Sequence, residues 1–154
     1  MPTAPDLKLA ALDAEDLVVV SAHVQDAILR VGDLLWSPSK KRFALAMNRF
    51  AWEAKSGRRK SYERRRSAMH FDRVVGVKSI GVDRGKPDNI LSLLAIEYAP
   101  AEAPAGEIKL VFAGGAEISL AVECIEAQLA DLGAAWETRA KPAHNPAAGG
   151  ALAD

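Results

Sequence analysis

Apolar positions alternate with polar or small ones through the middle of the chain and recur at helical spacing only toward its two ends, which predicts strands flanked by helices. Residues 7–12 form a short apolar stretch that reads as a strand. Asp13 then offers an N-cap, and Glu15 and Asp16 fall in a first turn where the helix dipole favours negative charge. Leu17, Val20 and Val24 share helical spacing, opposed by the β-branched run Val18-Val19-Val20, so a short helix over about 14–22 is expected. Residues 27–36 and the alternating Phe43, Leu45 and Met47 flank Ser37-Pro38-Ser39-Lys40, where proline presets the turn dihedral and serine bonds the local backbone. They predict a hairpin that continues toward Trp52.

Met69 and Phe71 share one face of a further strand that Val75 and Val77 extend, with Arg73 interrupting it at a bulge or a sheet edge. A loop over 81–89 holds Gly85 and Pro87, a strand follows over 90–98, and two prolines mark 99–106 as a connection. Strands at 107–112 and 117–122 flank Ala113-Gly114-Gly115-Ala116, a hairpin signal because glycine tolerates positive φ. Finally Ile125, Leu129, Leu132 and Trp136 draw one apolar stripe, with Glu123 and Glu126 at its start, which predicts a terminal amphipathic helix. Strands joined by short turns are antiparallel, since parallel neighbours need a long crossover. The expected class is α+β: a mainly antiparallel sheet or partial β-barrel, pleckstrin-homology-like by analogy, with a short N-terminal helix and a C-terminal amphipathic helix that hides sheet edges. An open sheet with both helices on one face is the alternative. One domain over 6–137 is expected, with flexible termini at 1–5 and 138–154, where proline, glycine and alanine replace any apolar periodicity.

Composition changes this picture little. The chain has 154 residues, 49% of them apolar and 26% charged, enough for one real core. No apolar run approaches the roughly 18 residues of a membrane helix, and the first residues lack the basic-then-apolar order of a signal peptide. The lone Cys124 excludes an intramolecular disulfide and any multi-cysteine zinc site, so a cytoplasmic location is expected, without membrane association or cofactor.

Charge changes it more. The totals of basic and acidic residues are equal at 20 each, but they are unevenly placed. The segment 55–66 carries Lys55, Arg58, Arg59, Lys60, Arg64, Arg65 and Arg66 against the single acid Glu63, a net +6 that leaves −6 for the rest of the chain. Arginine forks match phosphate bidentately, and Tyr62 is placed to stack on a base. Alternation puts Tyr62, Arg64, Arg66, Ala68 and His70 on one strand face and Arg65 on the Met69 and Phe71 side, where it would snorkel to a barrel rim. The plainer reading, a solvated loop that pairs with the acidic remainder and guards an edge, carries the greater weight.

Other constellations are weaker. Arg84 and Lys86 are offset by Asp83 and Asp88 in what reads as a polar turn. His23, His70 and His144 have no metal-ligand spacing, and the 113–116 turn lacks the lysine and helix of a phosphate loop. His70 beside Asp72 is a conceivable acid–base pair without a visible nucleophile. Ser21, His23 and Asp26 have triad residue types but not the long-range assembly a triad needs. Cys124 reads as a small core residue, and Trp36, Trp52 and Trp136 as core or barrel-end aromatics.

The string Glu15-Asp16-Leu17-Val18-Val19-Val20-Ser21-Ala22-His23-Val24-Gln25-Asp26-Ala27, followed by Val31-Gly32-Asp33, Arg42-Phe43-Ala44-Leu45 and Arg64-Arg65-Arg66-Ser67-Ala68-Met69-His70-Phe71, resembles the bacterial domain of unknown function family 2948 over about 7–136. The resemblance implies a bacterial stand-alone protein and brings no activity, ligand or catalytic residue. The leading functional expectation is a non-enzymatic binding or adaptor domain whose basic segment meets RNA or an acidic protein surface. An enzyme of unrecognised type, or a homodimeric interaction protein working through exposed apolar surface, stands against it.

Overall fold

A computed structural model describes residues 7–53 and 61–132, with the side chains of 51–53 and 61–63 outside the described set. The Asp13 cap is in place: its carboxylate accepts the Asp16 N–H at 2.8 Å and opens helix α1 (Ala14–Val24), whose Leu17, Val20 and Val24 are buried. The helix runs two residues past the expected end, and Asp26, in the left-handed region at φ 69°, turns the chain out of it.

The strands are β1 (Lys8–Ala11), β2 (Ile28–Arg30), β3 (Leu34–Ser37), β4 (Arg42–Glu53), β5 (Ser61–Phe71), β6 (Val74–Ile80), β7 (Ile90–Pro100), β8 (Gly106–Phe112), β9 (Glu117–Val122) and β10 (Ala127–Asp131). Among the described residues they make one open antiparallel sheet in the order β1-β10-β5-β4-β2-β7-β8-β9-β6, with β3 also paired to β4. Alternation fills the core: Phe43, Leu45 and Met47 of β4, Met69 and Phe71 of β5, Ile108, Leu110 and Phe112 of β8, and Ile118, Leu120 and Val122 of β9 all point inward. The sheet-rich α+β class expected from the sequence is the one observed.

Three expectations are corrected. The stretch 27–36 is not one strand. A single 3-10 turn, Val31–Asp33, breaks it, because the Asp33 carboxylate accepts the Arg30 N–H at 3.1 Å and closes the turn locally. Residues 69–77 are two strands, not one, since Arg73 adopts φ 64° and sends β5 and β6 to different neighbours. The third correction is the largest. The segment expected to open a C-terminal helix is instead β10 over Ala127–Asp131, pairing antiparallel with β1 on one side and β5 on the other. Ile125 and Leu129 lie four apart, a spacing that a strand and a helix share, and the buried Ala127 between them makes the period two. A helix there would leave the ladder groups of both neighbours unpaired. Trp136 and the expected tail lie outside the described residues.

The glycine hairpin forms as expected between β8 and β9, with Gly114 at φ 84° and Gly115 at φ 90°.

Candidate functional site

The basic segment grows out of the longest ladder among the described residues. β4 and β5 pair from Phe43↔Phe71 to Glu53↔Ser61. Their outer neighbours stop early: β10 leaves β5 at Asp131↔Ser67, the Leu132 N–H donates to the Arg66 carbonyl at 2.7 Å, and β2 meets β4 at Ile28↔Asn48. Over the remaining rungs, Arg49↔Arg65 to Glu53↔Ser61, the two strands pair only with each other among the described residues. A two-stranded ribbon of about 15 Å therefore leaves the body of the sheet, by the rise of roughly 3.4 Å per residue. Residues 54–60, with Arg58, Arg59 and Lys60, join its strands and lie outside the described residues. Tyr62 stands opposite Trp52 in the register, and its side chain is likewise outside them.

The three consecutive arginines go to three different places. Arg64 is exposed, its guanidinium carbon 5.6 Å from the centre of the Phe50 ring across the ladder, within cation–π range. Arg66 shares that face, half-buried, with Nη2 3.8 Å from the Asp33 carboxylate. Arg65 points the other way, as alternation requires, but does not snorkel to solvent. Its side chain is 6% exposed, and Nη1 lies 3.7 Å from the Asp131 carboxylate.

That carboxylate is the polar end of the core and was not legible as such. Arg49 grips it with both arms of its fork, Nε to Oδ1 at 2.8 Å and Nη2 to Oδ2 at 2.7 Å. Ser67 Oγ donates to Oδ1 at 2.6 Å and the Leu7 N–H to Oδ2 at 2.9 Å. Burial alone pushes the Asp131 carboxyl up. The bonds from Arg49, Ser67 and Leu7 outweigh it and hold the group below the ordinary carboxylate range. One signal in the sequence could have found the cluster: Arg49, Arg65, Ser67 and Asp131 each fall on the inward parity of strands whose other inward residues are apolar.

The remaining candidates separate. His70 Nδ1 is 3.3 Å from Asp72 Oδ2, yet it makes no hydrogen bond among the described residues, and Asp72 is held by Arg42 Nε at 2.7 Å. Ser21 Oγ accepts the Ile96 N–H at 2.9 Å beside the register shift of β7, while His23 Nδ1 lies 2.9 Å from the Val19 carbonyl. Each of the two thus has its own local task, and no triad forms. Cys124 is half-buried in the bend between β9 and β10 rather than at a helix start. Beside it, the hydrogen bond from Lys41, 2.9 Å long, chiefly holds the exposed Glu123 carboxyl below its usual range. No group of acidic, histidine or cysteine side chains suited to a metal ion occurs among the described residues, and no described helix is long and apolar enough to cross a membrane.

The model of the family described as "Protein of unknown function (DUF2948)" matches residues 7–144. The chain belongs to that family. The match spans every described strand of this DUF2948 protein, the basic ribbon and the Asp131 cluster included. No curated protein and no solved structure matches it.

Proposed function

We propose that this DUF2948 protein is a non-enzymatic binding domain that presents the basic β4–β5 ribbon to the phosphates of RNA. The observation that carries the reading is the placement of the charge: a net +6 segment caps the one pair of strands that outruns its neighbours. Exposed Arg64 beside Phe50 adds a described cation to the sequence charge of Arg58, Arg59 and Lys60. Arg65 and Arg66 belong to the base of the ribbon, where each faces a carboxylate, Asp131 and Asp33, so the binding set narrows to Arg58, Arg59, Lys60, Tyr62 and Arg64. A cytoplasmic setting fits a chain whose single cysteine is Cys124. A pleckstrin-homology-like architecture belongs to the same proposal, resting on the run of antiparallel strands; β10 stands where that analogy puts the closing helix.

The test is fluorescence anisotropy of a labelled single-stranded RNA, titrated with wild type and with an Arg58→Glu/Arg59→Glu/Arg64→Glu variant that spares the buried Arg65. Binding with a log-salt slope of about −0.7 per phosphate contacted, lost in the variant, is the expected result. Equal binding by the two proteins would refute the reading. An absence of RNA binding together with variant-sensitive capture of an acidic protein would move the same surface to the other class of partner.

A further inference from the structure

A second feature lies off the basic ribbon, between β3 and β6. The Val31–Asp33 turn ends β2, which lies between β4 and β7, and carries the chain to β3, which pairs with β4 alone. At the far end of the strand order β6 pairs with β9 alone. The two strands are not hydrogen-bonded to each other, and a cleft of about 260 Å³ opens between them.

Most of the side chains that line it are apolar. Leu34 and Trp36 come from β3, Phe43 from β4, Val77 from β6, Val82 from the following loop and Ile118 from β9. Leu34, Trp36, Val77 and Val82 are only partly buried, so apolar surface that would ordinarily be covered stays in contact with the opening. The two side chains of opposite character are Ser79 and Arg84 at the rim. Arg84 makes no ion pair or side-chain hydrogen bond among the described residues, unlike Arg42, Arg49, Arg66 and Arg73, each of which faces a carboxylate.

The loop that carries Arg84 is fastened over the cleft. The Gly32 N–H donates to the Pro87 carbonyl at 2.8 Å and the Val31 N–H to the Asn89 carbonyl at 2.9 Å. Gly32 permits this approach, since a Cβ there would stand 3.1 Å from Pro87 Cβ and 3.2 Å from its carbonyl oxygen. Inside the loop the Lys86 N–H bonds the Asp83 carbonyl at 3.0 Å, and the Asp83 carboxylate is turned to the Gly85 N–H at 2.9 Å. The acid next to it in sequence thus bonds within its own turn, and Arg84 is the charged side chain in the cleft lining.

We infer that this cleft is a binding site for a small carboxylic acid with an apolar body, of the aryl-alkanoic kind, seated between Trp36 and Val77 with its carboxylate on Arg84. The volume corresponds to about nine waters at roughly 30 Å³ each, which a single ring with a short chain displaces, and lies just below the span of drug-sized sites. The apolar walls supply affinity, and one guanidinium fork fixes orientation. Ser79, the other polar side chain of the lining, offers a hydroxyl to the second carboxylate oxygen.

The test uses three probes that share one ring and chain: 3-phenylpropionate, 3-phenylpropanol and 3-phenylpropylamine. Each is titrated into the intact protein while methyl signals of Val31, Val77, Val82 and Ile118 are followed by NMR. The acid should shift these methyls saturably and bind about fivefold more tightly than the alcohol, the scale of a solvent-exposed charge pair. The amine should bind weakest. Arg84→Gln, at an exposed position, should erase the preference for the acid while leaving the alcohol unchanged. Equal binding of all three probes, shifts confined to other residues, or an acid preference that survives Arg84→Gln would each overturn the assignment.

Discussion

Arg49 on β4 and Asp131 on β10 meet in a two-pronged ion pair across 82 residues of sequence, with side chains 5% and 0% exposed. The pair closes the end of the core from which the basic ribbon departs, so the ribbon's root is polar and fixed.

Removing the carboxylate should be costly. Asp131→Ala leaves the buried Arg49 without its carboxylate, and the loss expected for breaking such a pair is about 3–5 kcal/mol. Urea denaturation monitored by tryptophan fluorescence reads it directly. A loss below about 1 kcal/mol would mean that water already reaches the cluster.

The same pair sets a pH dependence. The folded-state pKa of Asp131 is held below its unfolded value of about 3.9, so its contribution is complete above that pH and is lost as pH falls through the lower folded value. The stability gap between wild type and Asp131→Asn should therefore be constant from neutral pH to about pH 5 and narrow below pH 4. A gap that widens in acid would reverse the sign of the shift.

Register gives a third expectation. Ala130 on β10 stands opposite Ala68 on β5. With Cys124→Ala as background, Ala68→Cys and Ala130→Cys together should form an intramolecular disulfide under mild oxidation, seen as a mobility change on non-reducing gels. A thiol pair that stays reduced would contradict the strand at 127–131.

The Tyr98 ring occupies the space that a side chain on Gly106 would fill, and a Cβ there would overlap the ring and its hydroxyl. Gly106→Ala should cost about 1–3 kcal/mol through overpacking, in thermal or urea unfolding. Tyr98→Leu in the Gly106→Ala background should recover part of the loss if that overlap is the cause.

How much of this was legible follows from which signals are local. The Asp13 cap, the Gly114-Gly115 hairpin and the alternation of Phe43, Leu45 and Met47 are written in neighbouring residues, and each stands where it was read. The strand at 127–131 was misread because Ile125 and Leu129 satisfy both periods, and only partners on β1 and β5 decide between them. Arg65 was placed on its correct face by alternation, but its partner lies on another strand, so a rim cation and a buried one looked alike. The cleft at β3 and β6 was invisible for the same reason: it is made by two edges that do not pair.

The place of β10 in the sheet has a consequence for how the protein is made. A ribosome delivers β1 first and β10 after every other described strand, yet β10 lies between β1 and β5. Until it emerges, the nascent chain carries a vacant slot with an open backbone edge on either side, the geometry that invites a stray strand from a neighbouring chain. The period of greatest exposure to mispairing is therefore the last stage of translation, and a stall upstream of Ala127 would hold the molecule there.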